Sequence, residues 1–203
     1  MGFETTTGDL LDERTAAPPR ARILKAAREL FYRYGIHTVG VDAIAETAGT
    51  NKTTLYRHFA SKDDLIAECM REHGDEFEAA WAEVERAHEG EPKEQLLACL
   101  AFLAEFKLGS ERGCAFANAA VELPEANHPA RRVIEGIKSR GRNRIIELCR
   151  KAGLGDPELL ADELFLLIEG ARVTIQSLGP RGPAERLTEM FQKLVAAHTP
   201  TRS

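Results

Sequence analysis

The sequence predicts an all-α chain of about nine helices, with a three-helix head leading into a larger helical body. Three observations carry that expectation. Apolar residues recur at i, i+3, i+4, i+7 spacing through most of the 203 residues. No segment alternates apolar and polar positions as a half-buried strand would, and no internal repeat is visible. The gaps between most periodic segments concentrate Gly and Pro, which interrupt helices. With 43% apolar and 29% charged residues, the composition is that of a folded globular protein and excludes a disordered one.

Residues 1–19 are rich in Thr, Gly, Pro and acids, lack a helical period and end in Pro18 and Pro19, so they read as a disordered N-terminal tail. From Arg20 onward, Ile23, Leu24, Ala27, Leu30, Phe31 and Tyr34 share one helical face, which Gly35 terminates. Val41, Ile44, Ala45 and Ala48 repeat the pattern over barely two turns before Gly49, which predicts a very short second helix. Thr50 is expected to cap a third, in which Leu55 and Phe59 face inward together and leave the polar residues of NKTTLYRHF outside. Ser61 followed three positions on by Asp64 is a capping pair, and it opens a long helix from 62 to about 88. Leu65, Ile66, Cys69, Met70, Phe77, Trp81 and Val84 form its buried side. Further helices are expected over 95–108, 115–123, 128–152, 157–178 and 183–197.

The net charge of −5 is unevenly spread. Between Arg20 and Lys62 eight Lys/Arg stand against Glu29, Asp42 and Glu46, a local charge of +5 that leaves −10 for the rest. A basic head on an acidic body suits a protein that meets phosphates with one end. No apolar run approaches the roughly 18 residues of a membrane helix, and the first residues lack the basic end and apolar centre of a signal peptide, so a cytoplasmic protein is expected. Cys69, Cys99, Cys114 and Cys149 form no CxxC pair, and free, mostly buried thiols are expected.

Two short helices joined by a Gly-containing turn, the second polar on its outer face, make a candidate helix-turn-helix, whose second helix would enter a DNA major groove. Here the run IAETAGTNKTTLYRHFASKDDLI resembles the DNA-binding domain of the TetR family, in which an IA..AG turn precedes a TLY.HF helix and an SK..L opening. The resemblance is specific over residues 20–67. Beyond them it extends to the all-helical layout and to the segment GCAFANAA…ELP…HP. It implies a helix-turn-helix DNA-binding domain over 20–66 and a ligand-binding and dimerisation domain over 67–203. It further implies a homodimeric repressor that binds a palindromic operator on double-stranded DNA and is released by a small-molecule effector, with no cofactor.

Carried over position by position, the resemblance puts base reading on Lys52, Thr53 and Tyr56, and phosphate contacts on Thr54, Arg57, His58 and Lys62. Thr50 joins this surface. Thr38 is displaced towards the N-terminus from the Ser or Thr that many members carry just before the second helix. The chemistry of these side chains agrees: Lys52 can donate to guanine O6 or N7, Thr53 offers a hydroxyl and a methyl, and Tyr56 a ring and a donor. Lys62, in the first turn of the next helix, is expected to help bind a phosphate there.

In the body, Trp81, Phe102, Phe106, Cys114, Phe116, Asn118, Arg140 and Phe165 are candidates to line a largely apolar ligand pocket between helices, or to be core. The last two helices carry apolar stripes that include Leu164, Ile168, Ala171, Ile175, Leu187, Met190, Phe191 and Leu194, which can close either a monomer's core or a dimer seam. The family resemblance favours the seam. Glu169 or Arg172, if buried there, would need partners. No GxSxG, Walker loop or Gly-rich strand-to-helix turn supports an enzyme. Cys69 and His73, four apart, lack the second ligand pair a metal site requires. Cys114, near Arg112, admits a redox or electrophile sensor. The competing reading is therefore a helical sensor or adaptor, redox-responsive or protein-binding, without specific DNA binding.

Overall fold

The computed structural model describes residues 17–105, 113–179 and 181–200. Among them lie nine α-helices, one turn of 3-10 helix and no strand, as the periodicity predicts. The helices are α1 (Pro19–Tyr34), α2 (Val41–Thr47), α3 (Lys52–His58), α4 (Lys62–Ala87), α5 (Pro92–Glu105), α6 (Ala115–Glu122), α7 (Pro129–Lys151), α8 (Pro157–Leu178) and α9 (Leu187–Ala197). The turn Pro183–Arg186 leads into α9, where the sequence pattern had suggested a single continuous helix.

Two compact units can be distinguished. The first takes in the described residues up to Glu72 together with Ala119–Val133. It buries Ile23, Leu24, Phe31, Ile44, Leu55, Phe59, Leu65 and Ile66, the residues whose spacing announced helices. Arg20 and Arg28 of α1 pair with Glu68 and Glu72 of α4 at 2.5 and 2.9 Å. Two of the eight basic residues behind the +5 charge are thereby engaged by carboxylates that lie just outside the window over which it was counted.

The turn between α2 and α3 corrects one expectation. Thr50 N–H donates to Ala45 O at 2.9 Å and Gly49 N–H to Glu46 O at 3.0 Å, with Gly49 at φ +61°. This paired bonding closes a helix C-terminus and needs a left-handed residue, which glycine adopts without strain. Thr50 thus finishes α2, and Asn51 caps α3 instead, its Oδ1 accepting from Thr54 N–H at 2.8 Å. The Ser61–Asp64 capping pair forms as expected, with Asp64 N–H donating to Ser61 Oγ at 3.0 Å.

The second unit comprises the described residues of His73–Asn118 and Ile134–Ser203. Its core joins Phe77 and Trp81 to Leu96, Leu100, Ile145, Leu148, Leu160, Leu164 and Phe191. Arg144 of α7 binds Glu85 of α4 bidentately at 2.7 and 2.9 Å, reaches Glu78 at 3.0 Å, and lies 4.9 Å over the Trp81 ring. A planar guanidinium can fork onto one carboxylate while its face lies on the ring, a bidentate geometry an ammonium lacks. Arg142 likewise forks onto Asp162, tying α7 to α8.

Candidate functional site

Helix α3 is built so that two side chains hold it and the rest face out. Leu55 is 0% exposed and Phe59 is buried, whereas Lys52, Thr53, Tyr56, Arg57 and His58 are exposed and Thr54 is half-buried beside its cap. Tyr56 keeps 44% of its surface. Lys52 Nζ meets Asp42 at 3.1 Å in an ion pair open to solvent on both sides, a contact weak enough to exchange for a base edge. Thr38 is exposed in the turn after α1, while Gly40, directly before α2, offers no side-chain cap.

Lys62 is engaged within the chain. Its amine donates to Ile36 O at 2.7 Å and lies 5.8 Å from the Phe31 ring. Burial lowers its pKa below the usual lysine value, against the neighbouring charges of Asp63 and Glu122. Within the first unit the side chain grips the loop between α1 and α2.

Glu122, at the end of α6, holds the same loop from its donor side. Its Oε2 accepts from Ile36 N–H at 2.6 Å and His37 N–H at 3.3 Å, and its backbone carbonyl meets His37 Nε2 at 2.5 Å. A Cβ at Gly35, which sits at φ +88°, would stand 3.0 Å from that carboxylate oxygen, so this residue's backbone and its lack of a side chain both matter. The sequence offered no sign of this clasp beyond the quoted ELP.

In the second unit a cavity of about 50 Å³ is lined by Trp81, Cys114, Phe116 and Phe165 from the expected pocket. It is also lined by residues that the sequence did not assign to this pocket, among them His73, Phe77, Ile137, Lys138, Glu169 and Arg172. Three candidates are elsewhere. Arg140 is exposed and pairs with Glu78 at 3.2 Å, Phe102 stacks on Phe77 outside the lining, and Asn118 meets Gln176 at 3.3 Å. Phe106 falls outside the described residues. Glu169 and Arg172 do find the partners that burial demands: Lys138 Nζ and Arg172 Nη1 each lie 2.6 Å from Glu169 Oε1.

The residues expected at a core or seam differ in burial. Leu164, Ile168, Ala171, Leu187 and Phe191 are buried within the unit's own core, with Ala171 and Leu187 also lining a groove between α8 and α9. Ile175, Met190 and Leu194 are half-buried. The opposite stripe of α8 leaves apolar surface open, with Leu159 51%, Leu166 69% and Val173 57% exposed at seven-residue spacing. Leu166, Gly170 and Thr174 border a groove whose other side includes Met190 and Leu194 of α9.

The cysteines divide by burial. Desolvation pushes the thiol pKa of Cys69 up to about 12 and those of Cys99 and Cys149 to about 11, whereas Cys114 is half-buried at the cavity. Ellman's reagent at pH 8 is expected to titrate one thiol in the native chain, Cys114, and four after unfolding; rapid reaction of two or more native thiols would contradict this. Since the folded pKa values exceed the ordinary 9.0, the unfolded chain ionises first. The stability these thiols confer is complete below pH 9.0 and is lost as pH rises towards 11 and 12.

Comparison with known proteins follows the same division. Residues 23–69 match the family described as "Bacterial regulatory proteins, tetR family". The transcriptional activator FasR of Mycolicibacterium smegmatis is 43% identical over 56 residues, 28% of this chain and 26% of that protein. The regulator UidR of Escherichia coli is 47% identical over 51 residues, 25% of this chain and 26% of that protein. The chain thus matches about a quarter of the length of these curated relatives. Similarity to solved structures runs much further. A TetR-family transcriptional regulator from Streptomyces coelicolor is 31% identical with a TM-score of 0.76, over 88% of this chain and 93% of that one. A structure from Streptomyces avermitilis assigned to the same class of regulator is 30% identical with a TM-score of 0.77, over 90% and 98%. With identity at this level sustained across nearly the whole of both chains, and the helix-turn-helix segment matching independently, the protein belongs to the TetR family of transcriptional regulators.

Proposed function

We propose that this chain is a cytoplasmic, homodimeric repressor that binds a near-palindromic operator and is released by a small molecule occupying the cavity of its second unit. The observation that carries the reading is the division of α3: Leu55 and Phe59 are anchored inside, while Lys52, Thr53, Tyr56 and Arg57 are presented outward in a form a major groove accepts. Two such helices would engage successive major grooves roughly 34 to 36 Å apart, or somewhat more. The open stripe of Leu159, Leu166 and Val173 supplies a surface on which two copies can pair as a four-helix seam. No helix among the described residues is long and apolar enough to cross a membrane.

Release then needs no chemistry. A ligand that binds better to a dimer whose heads do not fit the operator lowers operator affinity by linkage, and DNA weakens ligand binding in return. The reading is tested by offering fragments of the source genome to the purified protein, with recovery of one inverted repeat expected and recovery of none counting against it. On that repeat, Tyr56→Ala and Lys52→Ala should each weaken specific binding by roughly 1 to 3 kcal/mol while non-specific binding persists. Arg57→Ala should weaken all sequences alike and reduce the salt slope by about one. Unchanged mobility shifts for all three variants would remove α3 from the interface.

A further inference from the structure

The charged group in the cavity wall is unbalanced. Among the described residues, Lys138 and Arg172 both bond to a single oxygen, Oε1, of Glu169 at 2.6 Å each, so two cations share one carboxylate and these three side chains carry a net charge of +1. The side chains are 23%, 12% and 28% exposed for Lys138, Arg172 and Glu169. A surplus positive charge this poorly hydrated favours a compensating anion far more than the same charge in water does.

The surroundings specify the rest of such a ligand. Around the charged cluster stand Phe77, Trp81, Phe116, Phe165, Ile137 and Ile145, and the Lys138 amine itself lies 5.7 Å from the Phe165 ring. An inorganic anion would leave this apolar wall unused. A volume of about 50 Å³ holds a few waters, so entry of a larger organic body must part the side chains. Binding energy spent on that expansion is one way in which occupancy is felt by the surrounding helices.

We infer that the cavity binds a carboxylate borne on an apolar aliphatic or aromatic body, whose oxygens take Arg172 and Lys138 over from Glu169. The inference rests on the ligand response proposed above and names the chemical class of that ligand. Arg172 supplies the specificity, because a guanidinium fork matches two carboxylate oxygens at once. Glu169 acts as the internal stand-in, occupying the cations until the ligand competes for them.

Trp81, the chain's single tryptophan, lines the cavity and reports on it directly. Its fluorescence is to be followed as the full dimeric protein is titrated with hexanoate, octanoate, decanoate and 4-phenylbutanoate, each beside its primary amide. The acids are expected to bind and the amides, alike in shape but neutral, to bind at least about tenfold more weakly. Arg172→Gln should weaken the acids by about tenfold or more and leave the amides unchanged. Arg172→Lys, which keeps charge but loses the fork, should fall between. Glu169→Gln carries the decisive sign: removing the competing carboxylate should tighten acid binding several-fold, whereas a merely structural role for Glu169 would loosen it. The inference is overturned if amides bind as tightly as acids, if Glu169→Gln weakens the acids, or if no acid alters Trp81 emission below about 1 mM. Operator binding without any acid is measured separately. A failure there sinks the repressor reading alone, and acid binding without operator release supports the site while removing release as its consequence.

Discussion

Under the proposed pairing through α8, replacing Leu166 and Val173 together by Glu is expected to yield monomers and to lower affinity for the proposed operator by about two or more orders of magnitude. Both side chains stand on one face of α8, 69% and 57% exposed in the single chain, so the substitutions leave its own core untouched. In an apolar seam each carboxylate would lose its hydration without gaining a partner, and the two-fold axis would double the number of buried charges. A monomer offers one α3 to a two-half-site operator and forgoes the effective concentration that delivers the second. Light scattering gives the mass and mobility shifts the affinity. A variant that remains dimeric with unchanged affinity would place the seam on another surface.

Leu55→Ala is expected to cost about 2 to 5 kcal/mol and to abolish specific DNA binding along with it. The side chain is wholly buried, and α3 has only seven residues. So short a helix has no stability of its own in water, since isolated helices of fewer than about 12 residues are marginal at best. Its conformation depends on the burial of Leu55 and Phe59, with help from the Asn51 cap. Tyr56→Ala, on the opposite face, should leave the denaturation midpoint nearly unchanged while weakening binding. A Leu55→Ala protein with the wild-type midpoint and operator affinity would show that α3 is held by something else.

The contrast between these residues shows what was legible. Inside and outside of α3 could be read from spacing alone, because Leu55 and Phe59 are one helical turn apart and the polar residues have no other side to occupy. The Ser61–Asp64 cap was equally plain, being a bond between neighbours. Thr50 was assigned the wrong end of the right turn, since a threonine side chain suggests an N-cap and the sequence does not reveal that its backbone N–H is already bonded to Ala45. Lys62 illustrates a further limit: its bond to the carbonyl of Ile36, 26 positions away, has no local signature.

What the sequence determined by itself is most of what near neighbours carry: the helices, the Ser61–Asp64 cap, the main breaks between helices, and the two faces of α3. Tertiary structure alone decided which apolar stripe of α8 turns inward. Leu164 and Ile168 on one side and Leu159, Leu166 and Val173 on the other have the same hydrophobicity and comparable spacing, and packing against other helices makes the choice. It also brought Glu122 onto the Ile36–His37 backbone and Lys138 onto Glu169, across 86 and 31 positions of chain. Such pairings depend on where the backbone returns in space, and a local pattern of residues carries no record of that.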